Sequence, residues 1–117
     1  MATYFKNVLQ SGLGSTETKV YQSSSNTRTT VIGMSLTNLT TGIVLASVRL
    51  EQTDGALPTP AVTGSAYYIK EVIIPPNQSL RVINGGEKLV LGTSMNIYIQ
   101  STEPDSLDLV MSYVEIV

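Results

Sequence analysis

The sequence predicts an all-β fold: one antiparallel β-sandwich, Ig-like or jelly-roll-like, of about eight short strands with an extended N-terminal arm. Three observations predict it. Apolar residues follow a two-residue alternation along most of the chain, and no segment sustains the three-to-four spacing of a helix. Clusters of glycine, proline, asparagine and serine interrupt that alternation at short intervals. A chain of 117 residues can also bury about two thirds of its surface around a single core, so no second domain is required.

Residues 1–17 read as the arm. Tyr4, Phe5, Val8, Leu9 and Leu13 are large and apolar, and Gly12-Leu13-Gly14-Ser15 reads as a flexible hinge behind them. Each such side chain gains about 1.5–3 kcal/mol on full burial, so the arm should dock on its own domain or on a neighbour. Met1 to Gln10 lacks the basic start and continuous apolar run of a secretory signal and is expected to be kept in the mature chain.

Residues 18–117 read as the sandwich. Lys19 to Ser23 is a short strand, followed by the Ser23–Thr27 loop. In Thr29 to Asn38, alternation sets Ile32, Met34 and Leu36 against Gly33, Ser35 and Thr37. After Thr40-Thr41-Gly42, Val44, Ala46, Val48 and Leu50 take over, so the two runs read as an antiparallel hairpin. Thr53 to Ser65, with Gly55, Pro58, Pro60 and Gly64, reads as a long loop. Tyr67 to Ile74 is rich in aromatic and β-branched residues and is stopped by Pro75-Pro76, which cannot donate to a ladder. Leu80 to Ile83 and Leu89 to Leu91 flank Asn84-Gly85-Gly86, a tight-turn signal, and Met95 to Gln100 follows. The last strand, Leu107 to Ile116, is apolar on both faces. Leu107, Leu109, Met111, Tyr113 and Val117 lie on one side, and Val110, Val114 and Ile116 on the other. A strand of that kind needs cover on both sides, from a loop or from another subunit. Met111, Tyr113 and Ile116 are therefore candidate subunit contacts, beside Tyr4, Phe5, Val8 and Leu9 of the arm.

Composition excludes most chemistry. The chain has no cysteine and no histidine, which removes disulfides, thiolate and imidazole metal sites, and every Cys/His or Ser-His arrangement. None of the four lysines has a context that would depress its pKa for a Ser-Lys pair. Gly85-Gly86-Glu87-Lys88 lacks the spacing of a phosphate loop, and Glu103, Asp105 and Asp108 lack the glycine turn of a calcium loop. No catalytic, cofactor or metal residue is nominated. A net charge of −2, with 14% charged residues, argues against a nucleic-acid partner. No apolar run approaches the ~20 residues of a membrane span. Tyr67-Tyr68 with the Ala56–Gly64 loop could form an aromatic platform for carbohydrate, although one of two adjacent strand tyrosines faces outward in any sheet.

Val31-Ile32-Gly33-Met34-Ser35-Leu36-Thr37-Asn38, Ile74-Pro75-Pro76-Asn77-Gln78-Ser79-Leu80, Lys88-Leu89-Val90-Leu91, Met95 to Gln100 and Val110-Met111-Ser112-Tyr113-Val114-Glu115-Ile116 carry a resemblance. In these strand-and-turn patterns the chain resembles small β-rich virion structural proteins of tailed bacteriophages, including cyanophages and other marine phages. The resemblance implies a non-enzymatic virion protein. The first expectation is a capsid decoration or cement protein, frequently trimeric, that clamps major capsid subunits through its arm. A neck, tail or baseplate accessory protein and a carbohydrate-binding module are the alternatives.

Overall fold

The computed structural model describes residues 2–52, 64–84 and 86–117. Along them run nine strands: β1 (Thr3–Leu13), β2 (Thr18–Gln22), β3 (Arg28–Asn38), β4 (Val44–Gln52), β5 (Gly64–Ile74), β6 (Ser79–Ile83), β7 (Leu89–Leu91), β8 (Met95–Ser101) and β9 (Leu107–Ile116). The first sheet has the order β1-β9-β3-β6, with β7 also on β3, and the second has the order β2-β8-β4-β5. Every pairing is antiparallel.

These pairings are nested. First strand meets last, β2 meets β8, β3 meets β6 and β7, and β4 meets β5 at the tip. The chain is thus one long antiparallel hairpin rolled up until β9 also meets β3 and β8 meets β4, which is the jelly roll. Alternation along each strand then sends one set of side chains inward. Leu36, Val48, Ile97, Ile99, Leu109 and Met111 are fully buried between the sheets.

Several local expectations give way to this long-range pairing. The runs read as a β3–β4 hairpin lie in different sheets, because the chain crosses between sheets after Asn38. Asn38 holds that crossing: its buried amide donates to the carbonyls of Gly42, Ile74 and Pro75 at 2.9, 3.0 and 3.2 Å, and its Oδ1 accepts the Thr40 N–H at 2.8 Å. Likewise β6 and β7 do not pair with each other but lie in succession along β3. In β3 the register shifts between Val31 and Gly33, so Ile32 turns outward instead of joining Met34 and Leu36. Of the loop expected over Thr53–Ser65, residues 53–63 lie outside the described residues, while Gly64 and Ser65 already belong to β5.

Residues 1–17, expected as an arm, contain β1, which pairs with β9 of the same chain from Thr3↔Ile116 to Leu13↔Leu107. The expected hinge is a packed corner. Leu13 is buried, its carbonyl accepts the Ser106 N–H, and the Gly14 carbonyl accepts the Ser101 N–H, both at 2.9 Å. Gly12 sits at φ +68°, and a Cβ on Gly14 would stand 3.0 Å from the Asp105 nitrogen and 3.1 Å from the Pro104 Cα. Backbone atoms cannot swing aside, so Gly14→Ala is expected to cost about 1–3 kcal/mol in denaturant unfolding. Gly42→Ala, which meets nothing within 4 Å, should stay within about 0.5 kcal/mol of wild type.

Candidate assembly surface

The register places side chains on the outside of the first sheet in rows that cross its strands. One row runs Phe5–Val114–Thr30–Val90, and another, closer to the Gly12 corner, runs Leu9–Val110–Ser35–Arg81. Between them lies the row Asn7–Ser112–Gly33, and beyond the first lies Thr3–Ile116–Arg28. Phe5, Leu9 and Val90 are 80%, 70% and 71% exposed, and Ile32, Val110 and Ile116 are exposed as well. A shallow dimple of about 200 Å³ opens between Gly33, Ser35, Arg81, Val110 and Ser112. Scattered apolar residues on a surface need no explanation, but six share this one sheet face, in rows on either side of Asn7–Ser112–Gly33, and that concentration makes the face a candidate protein contact.

The outside of the second sheet differs in kind. Its centre is an ionic network: Arg49 donates to both Glu17 oxygens at 2.9 and 2.8 Å, reaches Glu51 at 3.5 Å and stacks 4.3 Å from the Tyr98 ring centroid. The Arg49 guanidinium lowers the Glu17 pKa, and the Asn96 amide followed by the Tyr98 hydroxyl lowers that of Glu51. Such a face is already satisfied in water. Its exposed apolar groups, Tyr67 and Ile73, lie on the edge strand β5.

Between the sheets, at the end where the chain termini meet, a polar cluster ties β1 into the fold. The Glu115 carboxylate accepts the Tyr21 hydroxyl at 2.6 Å and pairs with the Lys6 ammonium at 2.8 Å, while Tyr21 also bonds Thr29 at 2.7 Å. Lys6 and then Tyr21 depress the Glu115 pKa, and burial, followed by Glu115, raises that of Tyr21. Because the folded-state value of Glu115 lies below that of the unfolded chain, its stabilisation is present above the ordinary carboxylate value of 4.5 and is lost as pH falls through the depressed value. Thermal melts are expected to show the melting temperature falling below that pH, with a shallower fall in Glu115→Gln.

The seven residues singled out from the sequence divide between two sides of the first sheet. Phe5, Leu9 and Ile116 lie on the outer face. Tyr4 and Val8 turn toward the second sheet, Tyr4 half-exposed beside the Lys6 ammonium and Val8 packed on the core edge. Met111 and Tyr113 are core residues, with Tyr113 edge-on to Tyr21 at 4.8 Å, so neither is available to a second subunit. The outward side chains of β9 next to them are those of Val110 and Val114. Ile32 and Val90 carry no comparable signal, one displaced by a bulge and the other in a three-residue strand. Tyr67 and Tyr68 diverge: the first faces out beside Lys70, and the second packs toward the core and donates to Glu87 at 3.3 Å. The Ala56–Gly64 loop expected beside them lies outside the described residues up to 63. Among the described residues no group of three or more His, Cys, Asp or Glu could hold a metal ion.

No family model and no curated protein matches the sequence. The fold is similar to that of a chain in the crystal structure of the T13 IBDV viral particle, with a TM-score of 0.54 and 8% identity over 97% of this chain; the match spans 30% of the viral chain's length. A subunit of the disulfide-linked pili of Bacillus endospore appendages aligns with a TM-score of 0.48 and 11% identity, over 98% of this chain and 88% of that one. A chain of the infectious bursal disease virus Gt strain aligns at 0.42 and 10%, over 97% and 32%. At these identities the likeness is one of fold.

Proposed function

We propose that the chain is a non-enzymatic structural subunit of a virion, a decoration or cement protein that stabilises a tailed-phage head by burying its surface against neighbouring subunits. The observation that carries this reading is the contrast between the two outer faces: a polar, charge-paired second sheet, and a first sheet that leaves Phe5, Leu9, Ile32, Val90, Val110 and Ile116 in water. The jelly roll common to this chain and the T13 IBDV particle chain supports it, as do the phage-like strand and turn motifs. Full burial of six such side chains is worth roughly 10 kcal/mol gross. Association costs about 4–15 kcal/mol, so one contact is weak and a repeating lattice makes it strong.

Gradient-purified particles of the phage whose genome encodes the chain are expected to carry it at a fixed copy number, with cryo-electron microscopy density on the head. Particles without the chain would contradict the reading. Density at the neck, tail or baseplate would select the accessory-protein alternative, which uses the same surface.

A further inference from the structure

We infer that the subunit covering the outer face of the first sheet is a second copy of this chain, related by a two-fold axis that lies in the interface and crosses the strands at the Asn7–Ser112–Gly33 row. The inference rests on the assembly reading above and names its partner. Such an axis keeps the strand order and reverses strand direction. The Phe5–Val114–Thr30–Val90 row therefore lies on the Leu9–Val110–Ser35–Arg81 row of the second copy. On β1 and β9 apolar side chains meet apolar ones, on β3 a hydroxyl meets a hydroxyl, and at the margin Val90 meets the alkyl stem of Arg81. At each end Ile116 lies on Asp108 and Arg28 on Thr37 of the second copy, which leaves the Arg28 guanidinium diagonally beside that Asp108 carboxylate.

The other in-plane two-fold, parallel to the strands, gives the opposite result. It sets Phe5 on Val90 but Val114 on Thr30, Leu9 on Arg81 and Val110 on Ser35, fewer apolar pairs than the first, and it brings Arg28 beside Arg28 and Asp108 beside Asp108. Charge and hydropathy both select the first arrangement. The central row suits an axis because Gly33 and Ser112 are small and flank the dimple, so the sheets can close to aligned face-to-face packing. β1, β9 and β3, ten or eleven residues each, with β6 and β7 end to end along β3 and strands about 4.8 Å apart, present roughly 600 Å² per copy. The pair then buries about 1,200 Å², above the ~1,000 Å² expected of a specific contact.

The full chain has no cysteine, so Ser112→Cys places a single thiol at the proposed axis. A short bis-maleimide is expected to convert most of this variant to a covalent dimer. The same reagent should leave Ile73→Cys, outside the second sheet, monomeric, and circular dichroism should show both variants folded. An equimolar mixture of Thr30→Cys and Ser35→Cys should cross-link to each other and neither to itself, which fixes the axis direction. A trimeric product, equal cross-linking of Ile73→Cys, or no product from Ser112→Cys would overturn the inference. Val110→Asp separates this from failure of the assembly reading. If Ser112→Cys does not cross-link but Val110→Asp is lost from purified particles, the face is a contact and its partner is a different protein. If Ser112→Cys does not cross-link and Val110→Asp is incorporated normally, both fall.

Discussion

Met111→Ala is expected to cost about 2–5 kcal/mol of folding free energy, whereas Val110→Asp, the adjacent position, should change stability by no more than about 1 kcal/mol. Met111 is completely buried opposite Val8 on one side and Met34 on the other, so truncation opens a cavity between the sheets. Val110 points the other way, into solvent between Leu9 and Ser35. Assembly should reverse the ranking. Met111→Ala that still folds keeps the outer face intact and should associate normally. Val110→Asp places a carboxylate in the middle of the patch, where closing the contact would strip it of water with no cation opposite, and its association should weaken at least about 100-fold. Denaturant unfolding and light scattering on the same two variants check both halves. Equal loss of stability in both would mean that β9 does not divide its faces as described.

Removal of residues 1–13 is expected to lower the melting temperature by more than about 15 °C and to leave a chain prone to aggregation. The deletion takes away buried Leu13, worth about 1.5–3 kcal/mol, together with partly buried Val8 and every ladder bond along one edge of β9. Together these make several kcal/mol, a large share of the 5–15 kcal/mol typical of a domain. The deletion also turns β9 into an open edge beside Met111 and Tyr113, a template for unwanted strand pairing. Lys6→Ala, by contrast, removes only one half-exposed ion-pair partner and should leave the unfolding midpoint close to that of the wild type. A truncated chain that melts within a few degrees of wild type would mean that residues 1–13 act as a detachable arm.

The strands were legible because alternation is a local property. Leu36, Val48, Leu109 and Met111 lie in the core as their spacing predicts, and Pro75-Pro76 ends β5 where a ladder donor is missing. What joins the strands was not legible. Adjacent runs such as β3 and β4 look like a hairpin when only their connection is read, and the nesting of β1 with β9 is set by which apolar faces can close around one core. The same limit explains the site. Phe5 and Leu9 are visible as large apolar residues near the start of the chain, and Val110 and Ile116 as the second face of β9. That they share one sheet surface with Val90 follows only from pairings between residues far apart in sequence. Ile32 was misplaced by a single bulge, since one extra residue reverses which side every preceding side chain takes.

Hydroxyl-radical footprinting of the full chain, free and in its assembled form, reads out which outer face assembly buries. Phe5, Leu9 and Val110 should become protected on assembly, while Tyr67 and Ile73 outside the second sheet should react as they do in the free chain. Protection of Tyr67 and Ile73, with Phe5 and Leu9 left fully reactive, would contradict the proposed assembly surface.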